Sequence, residues 1–323
     1  MLISVIVPIF NVENYIIELV KSLENQTFTD FEAIFIDDGS FDKSIEQLEE
    51  TLKNTKMNYK IIRQTNKGLS AARNTGIRQS SGEWLVWPDS DDILDEKYLE
   101  ILYFAVKDKN THIGFCNYKT FLDGEAFSNI KEIQKVTKYV YETSLQSMKR
   151  YINEWIGPWC FIVSKEYFLK QDLFFDESCR YCEDLIFISK AIAGATNITV
   201  IENRLYYYRM RSSSILNSSN IDKILSGYIQ IKKLNEYFVE NDSLSGKYFY
   251  KVGIYKWLIS TMKKCAVRFS YDDFKTLYKS IDFKVYYSRA RHCTTKKLRI
   301  AGMILRYSPR IFFQVVKRMN KFI

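Results

Sequence analysis

Four short apolar runs, each closing on polar residues and separated by helix-length segments, constrain the fold of this chain more than any other feature. The runs are Ile3 to Phe10, Phe31 to Ile36, Tyr59 to Ile62 and Trp84 to Trp87. Between them, Glu13 to Asn25 carries Ile16, Ile17, Val20 and Leu23 at helical spacing. Asp42 to Asn54 follows as a helix capped by Ser40 or Asp42, and Leu69 to Gln79 as a third. Strand and helix in alternation predict a mostly parallel α/β sheet with helices on both faces. Such sheets bind ligands beyond the carboxyl ends of their strands, which is where the polar motifs of this chain fall.

At 323 residues the chain is long for one core, so a large α/β unit with a smaller second one is expected. His112 to Leu122 and Pro158 to Val163 read as strands, and Cys182 to Ala193 as a helix opening on Glu183-Asp184. Thr196 to Ile201 and Arg204 to Met210 read as a hairpin. Ser212-Ser213-Ser214 and Ser218-Ser219 mark a boundary. Beyond it only helices are expected: Ile221 to Val239, Gly246 to Phe269, and shorter pieces to the end.

Several classes of chemistry are set aside by composition. No run of eighteen uncharged apolar residues exists to span a bilayer. The N-terminus reads as a first strand rather than a signal peptide. Among six scattered cysteines only Cys179 and Cys182 are close, a weak zinc signal, so reduced cytosolic thiols are expected. With two histidines in the chain, carboxylates must carry any acid–base work. The densest cluster, Asp89-Ser90-Asp91-Asp92, follows the fourth apolar run directly. Clustered carboxylates at a strand end suit a hard divalent cation that bridges to a substrate phosphate. The same residues would also serve as a turn capping the next helix.

Four segments fall in a telling order: Ser4-Val5-Ile6-Val7-Pro8-Ile9-Phe10-Asn11, Asp37-Asp38-Gly39-Ser40, Asn66-Lys67-Gly68-Leu69-Ser70-Ala71-Ala72-Arg73-Asn74 and Asp89-Ser90-Asp91-Asp92. Together they closely resemble the family 2 glycosyltransferases, inverting nucleotide-sugar enzymes of the Rossmann-like GT-A fold, over roughly residues 1–215. The resemblance implies a catalytic domain at 1–215, with a nucleotide-binding half at 1–110 and an acceptor half at 111–215, and a helical region at 216–323. It implies Pro8 against the nucleoside and Asp38 accepting from uracil N3–H. Arg73 would offer a planar fork to base or phosphate, with Lys67 a looser cation nearby. Asp89 and Asp91 would hold ribose and a Mn²⁺ or Mg²⁺ on the diphosphate, with Asp92 sharing. Tyr181-Cys182-Glu183-Asp184-Leu185-Ile186-Phe187 matches the family's Glu-Asp motif and implies Asp184 as the base, supported by Glu183; a helix N-terminus favours the same pair electrostatically. One departure is Trp87-Pro88, where the family has a plain aliphatic or Phe; a changed backbone entry and donor-sugar contact are expected. Trp159 would offer a platform to an acceptor sugar, unless it is core. Arg209 or Arg211 would clamp the diphosphate as the following loop closes.

Charge is uneven. From Lys284 to Ile323 there are eleven Lys/Arg and no Asp/Glu; the chain's +9 less the tail's +11 leaves −2 for residues 1–283. Lys296 to Ile323 reads as two amphipathic helices, with Ser308-Pro309 opening the second. In the first, Arg299 and Arg306 oppose Ile300, Ile304 and Leu305. In the second, Arg310, Lys317 and Lys321 oppose Ile311, Phe312, Val315, Val316, Met319 and Phe322. This composition fits both an anionic membrane surface and a helix packed on its own domain. Nucleic acid is not expected, because no binding motif accompanies the charge. The whole implies a cytoplasmic transferase, peripheral on the inner face of the cell membrane. It would move one sugar from a UDP-sugar to a hydroxyl of a glycan or polyprenyl-diphosphate-linked acceptor in surface-polysaccharide assembly. A non-catalytic sugar-nucleotide-binding or scaffold protein of the same fold is the alternative.

Overall fold

The computed structural model describes residues 1–107, 111–127, 139–154, 156–179, 181–211, 220–290 and 295–319. The chain divides into two compact units, Met1–Ser147 with Trp155–Ser218, and Met148–Glu154 with Ser219–Ile323. The Ser-rich boundary segment, residues 212–219, and Trp155 lie outside the described residues. That Met148–Glu154 belongs with the second unit is not visible in the sequence pattern.

In the first unit the strands are β1 (Ile3–Ile9), β2 (Phe31–Asp37), β3 (Asn58–Arg63), β4 (Trp84–Val86), β5 (Ile93–Leu94), β6 (Ile113–Leu122), β7 (Tyr139–Thr143), β8 (Phe161–Ser164) and β9 (Asn197–Met210). The helices are α1 (Ile16–Glu24), α2 (Ser44–Leu52), α3 (Leu69–Gln79), α4 (Tyr98–Val106), α6 (Lys165–Lys170) and α7 (Glu183–Gly194), while α5 (Ser144–Glu154) starts in this unit and from Met148 counts with the second. Among the described residues the sheet runs β3-β2-β1-β4-β8-β6-β9-β5, with β7 added on β9. From β3 to β4 every pair is parallel. Beyond β4 the sheet is mixed: β8 is antiparallel to β4 and β6, β6 is parallel to β9, and β5 and β7 are antiparallel to β9.

The parallel half follows directly from its residues. All seven positions of β1 and of β2 are buried, as expected of strands covered on both faces. Ile34, Ile36 and Ala72 form one cluster with Ile62 against it, which seats α3 on that face. The approach is close: a Cβ at Gly76 would lie 2.3 Å from Ile6 Cγ2. The edge strand β3 is largely exposed and carries Lys60, whose Nζ sits 2.9 Å from buried Glu32. Chain order runs β1, β2, β3 to one side and then returns to β4 on the other side of β1. The crevice of such a sheet opens at that reversal, beyond the ends of β1 and β4.

Several expected elements take another form. The hairpin over Thr196–Met210 is one fourteen-residue strand, β9. Glu202-Asn203, which read as a turn, lies at a register shift: Cys116 pairs with Ile201, but Asn117 pairs with Arg204. At this bulge β9 changes antiparallel partner, from β7 before it to β5 after it. Pro158–Cys160 is a 3₁₀ turn that feeds β8 rather than strand. The helix expected from Asp42 starts at Ser44, whose N–H is accepted by Asp42 Oδ1 at 3.0 Å.

The second unit holds α8 (Ile221–Glu240), α9 (Leu244–Tyr248), α10 (Ile254–Arg268), α11 (Tyr271–Ser280), α12 (Phe283–Ala290), α13 (Lys296–Tyr307) and α14 (Pro309–Met319). The single helix expected over Gly246–Phe269 is split by a π turn, Phe249–Gly253. Asn220 caps α8 by accepting the Lys223 N–H at 2.9 Å. Ile224, Tyr228, Ile231, Leu234 and Phe238 then make its buried stripe. No described helix is long and apolar enough to cross a membrane.

Candidate active site

The loops after β1 and β2 are stitched together by short polar side chains. Asn11, at φ +52°, donates its N–H to Ser40 Oγ (3.3 Å), and its Oδ1 accepts from Phe41 N (3.1 Å). The Asp38 N–H donates to Ile9 O at 2.9 Å. The Asp38 carboxylate, 3% exposed, gathers the loop before α3. Its Oδ1 accepts from Gln64 Nε2 (2.7 Å) and Lys67 N (2.8 Å), and Oδ2 from Gly68 N (2.8 Å). Gly68 opens α3 at φ +92°, a backbone conformation natural only to glycine. With three of about four acceptor positions used, Asp38 first folds the pocket wall and retains capacity for one more donor.

At the centre of the site lies Arg73, whose side chain is wholly buried. Nη2 contacts Asp89 Oδ1 at 2.9 Å and Nη1 contacts Asp184 Oδ1 at 2.5 Å, so one planar fork joins the end of β4 to the start of α7. The ring of Phe175 lies 5.0 Å beneath it. Neighbouring Asn74 holds that support in place: its Oδ1 accepts from Phe175 N (2.9 Å), and its Nδ2 donates to Phe175 O (2.8 Å). Trp87 is fully buried among Phe168, Phe175 and Phe187, so it builds the wall under Arg73 and makes no donor-sugar contact.

Each aspartate of the cluster has a different fate. Asp92, 1% exposed, spends both oxygens internally: Tyr206 OH donates to Oδ2 (2.6 Å) and Arg209 N to Oδ1 (2.7 Å). Tyr206 OH also receives the Asp89 N–H at 3.0 Å, so Asp92 sets the turn and does not share in a cation site as expected. Asp89 and Asp91 keep side chains 25% and 16% exposed. Burial, and then the charges of Asp91 and Asp184, push Asp89 up to about 6 despite Arg73. Burial likewise raises Asp91, opposed by Arg211, whose Nη2 lies 2.5 Å from its Oδ2.

The α7 pair is presented by a strained entry. Cys182 precedes it at φ +73°, unusual for a residue with a side chain. Asp184 is 37% exposed. Burial, then the charge of Asp184, raises Glu183 to about 7. A group in this range titrates near neutrality, as acid–base chemistry requires.

Other expected site residues are placed differently. Pro8 is buried within β1 opposite Ile36; the exposed side chain at that strand end is Phe10, at 44%. Lys67 is exposed, and among the described residues it is its backbone N–H that is engaged, by Asp38 Oδ1. The guanidinium of Arg73 is already spent on two carboxylates rather than open to a base or phosphate. Arg209 is 6% exposed, donates to Asp91 O (2.8 Å), pairs with Glu18 and Asp123, and stacks on Phe121 and Tyr15. It braces the Asp91 turn, whereas of the two expected clamps it is Arg211 whose guanidinium faces the Asp91 carboxylate. Trp159 is 7% exposed, with the rings of Tyr206 (4.4 Å) and Tyr208 (5.3 Å) stacked on it, so it supports the site from the core and is not an open sugar platform. Tyr15, Asn74 and Phe175 were not singled out in the sequence; Asn74 alone carried a signal, as the residue after Arg73.

Whether these residues suit a cation follows from their donor set. No described group of three or more His, Cys, Asp or Glu forms a ready cage. Asp89 and Asp91 each commit one oxygen to a guanidinium and hold raised proton affinity, so positive charge beside them is favoured. Mg²⁺ and Mn²⁺ are commonly bound through one or two carboxylates with substrate phosphate and water completing the shell. The pair fits that half-set, with Arg211 standing where the charge is needed.

The family model described as glycosyl transferase family 2 matches residues 4–171. The chain is 31% identical over 225 residues to the uncharacterized glycosyltransferase EpsJ of Bacillus subtilis, covering 66% of this chain and 62% of that protein. It is 31% identical over 226 residues to glycosyltransferase GlyA of Streptococcus pneumoniae, covering 66% and 31%. The chain thus spans less than two thirds of either relative. TarS of Staphylococcus aureus, a poly(ribitol-phosphate) beta-N-acetylglucosaminyltransferase, is 32% identical over 223 residues, 64% of this chain and 35% of TarS. The structure of TarS 1–349 in complex with UDP-GlcNAc matches at a TM-score of 0.64 and 24% identity, covering 99% of this chain and 92% of that one, a likeness of fold.

Proposed function

Because the chain belongs to glycosyl transferase family 2, we propose that it moves one sugar from a UDP-sugar to an acceptor hydroxyl with inversion at the anomeric carbon. The observation that carries this reading is the Arg73 bridge, which sets a carboxylate suited to the leaving group, Asp89, beside one suited to the acceptor, Asp184. In a single displacement, the acceptor oxygen forms its bond to the anomeric carbon as the bond to the UDP oxygen breaks. Asp184 takes the hydroxyl proton, and Glu183 lies beside it as a protonatable neighbour. Asp38 shapes the pocket for the base and keeps acceptor capacity for uracil N3–H. Asp89 and Asp91 would hold Mn²⁺ or Mg²⁺, which would supply Lewis-acid stabilisation of the negative charge on a departing diphosphate. An α-linked donor would then give a β-linked product.

A UDP-sugar donor is supported by the UDP-GlcNAc named in the TarS structure, and a surface-polymer acceptor by the poly(ribitol-phosphate) in the name of that enzyme. The acceptor we propose is a glycan on a polyprenyl diphosphate, met at the inner face of the cell membrane. UDP release from a panel of UDP-sugars with Mn²⁺ tests the reading. Turnover is expected with at least one donor and lost in Asp91→Ala. Release that survives Asp91→Ala unchanged removes the metal assignment, and tight UDP binding without turnover favours the non-catalytic scaffold.

A further inference from the structure

The two helices that end the described chain each carry a packed stripe of apolar side chains and a further exposed one, more than a surface helix needs. The first stripe is consumed by packing within the second unit. On α13, Leu305 is fully buried, and a Cβ at Gly302 would fall 1.7 Å from Tyr255 Oη. On α14, Phe312 and Phe313 pack on Phe274 with ring centroids 6.2 and 5.3 Å away. Over residues 296–319 the tail is therefore a docked helical pair, which meets the expectation of a packed element; Lys321 and Phe322 lie outside the described residues.

The second stripe faces solvent. On α13 it is Ile300 (43% exposed), Met303 (42%) and Tyr307 (73%), spaced three and four residues apart. On α14 it is Ile311 (53%), Val315 (42%) and Met319 (64%), spaced every four. At 100° per residue the exposed positions of α13 sit opposite Leu305, and those of α14 sit opposite Phe313, with Phe312 at the edge of the same apolar face as Met319. Exposed Lys296, Lys297 and Arg299 flank the first stripe and exposed Arg318 the second, whereas Arg310 and Lys317 lie over the rings of Tyr271 and Phe313 on the opposite side of α14. From Lys284 onward the sequence holds no acidic residue to offset them.

We propose that this outer face of α13 and α14 docks on an anionic lipid bilayer, its apolar stripes seated at the headgroup level and its cations on lipid phosphates. Exposed apolar patches of this kind mark interaction surfaces. Charge complementarity selects the partner: unbroken positive charge around bulky apolar side chains fits anionic lipid, which also attracts the flanking Lys and Arg from solution. The proposal deepens the membrane-side acceptor proposed above and rests on that reading only for its purpose, since the surface lies wholly in the second unit.

Sedimentation of the full chain with phosphatidylcholine vesicles, with and without phosphatidylglycerol, tests it without any turnover readout. Binding to the anionic vesicles is expected to be about tenfold tighter or more, and to weaken as salt is raised. Met303→Ser with Ile311→Ser and Val315→Ser, all exposed and so compatible with folding, should lower binding to anionic vesicles at unchanged melting temperature. Lys296→Glu with Lys297→Glu and Arg318→Glu, all exposed beside the stripes, should remove the preference for phosphatidylglycerol. Equal sedimentation of wild type and both variants overturns the proposal. So does a concentration-dependent dimer that the serine variant abolishes, because the stripes would then belong to a second copy of the chain. Failure of vesicle binding with UDP release intact leaves the transferase reading standing, and the converse leaves the surface.

Discussion

Replacing Arg73 tests the part of the site that holds the rest together. Its guanidinium makes two charge-assisted contacts, at 2.9 Å to Asp89 and 2.5 Å to Asp184, from a side chain with no exposed surface. Such bonds contribute roughly 1.5–3 kcal/mol each, and breaking a buried pair costs about 3–5 kcal/mol because the partner charge is left behind. Here the partners are 25% and 37% exposed, so water relieves part of that penalty and the lower end applies. Arg73→Met, which keeps the packing on Phe175, should therefore cost about 3 kcal/mol. For a unit of roughly 200 residues that is a fall of about 6–12 °C in Tm, read on the transition that added UDP shifts.

The functional loss should be larger than the stability loss. Without the bridge, Asp89 and Asp184 repel each other, and a displacement of about 1 Å in a reacting group can lower turnover about 10²-fold. Arg73→Lys separates charge from geometry, since an ammonium is a point charge that cannot grip both carboxylates as a planar fork. It should recover part of the Tm while kcat/KM for UDP-sugar stays down by about 10²-fold. Wild-type Tm in Arg73→Met, or full turnover in Arg73→Lys, would refute the bridge as the organising contact.

Other consequences are more local. Glu32 accepts from Lys60, Ser81 and Ser4, contacts that overcome the effect of burial and hold it at about 2, below its ordinary 4.5. A depressed folded value gives stability that is present above about pH 4.5 and lost as pH falls toward 2. Glu32→Gln should cost roughly 2–3 kcal/mol at neutral pH, with the gap closing in acid in thermal melts across that range. Gly76→Ala drives a methyl into Ile6 and should destabilise by about 1–3 kcal/mol in urea unfolding. Cys182→Gly relieves a left-handed backbone and should stabilise by up to about 1 kcal/mol with UDP release retained; a loss of stability would mean that the Cys182 side chain, not its backbone, sets the entry to α7.

The half of the fold before Val86 is legible in the sequence because β1 and β2 are buried on both faces, which forces uninterrupted apolar runs. Beyond it the signal fails for physical reasons. Glu202-Asn203 has the composition of a turn, and only the neighbouring strands β6, β7 and β5 turn it into a bulge. The carboxylates of the site were visible as clusters, but their bridge was not: Arg73 and Asp184 are 111 positions apart, and nothing local records that they meet. Pro8, Arg209 and Trp159 show the complementary limit. Residue type states what a side chain can bind, whereas burial in β1, the carboxylates of Glu18 and Asp123, and the rings of Tyr206 and Tyr208 had already claimed them. The tail was legible as amphipathic, yet its division into a packed stripe and an outer one required the fold.

We propose that one pocket binds the UDP-sugar through Asp38, Asp89 and Asp91 and activates the acceptor through Asp184. Measuring UDP affinity and UDP-sugar turnover side by side in Asp184→Asn tests it most directly. UDP binding should stay within about threefold of wild type while turnover falls on the order of 10²–10⁴, the usual contribution of a general base. Turnover that persists in Asp184→Asn at the wild-type rate would contradict it.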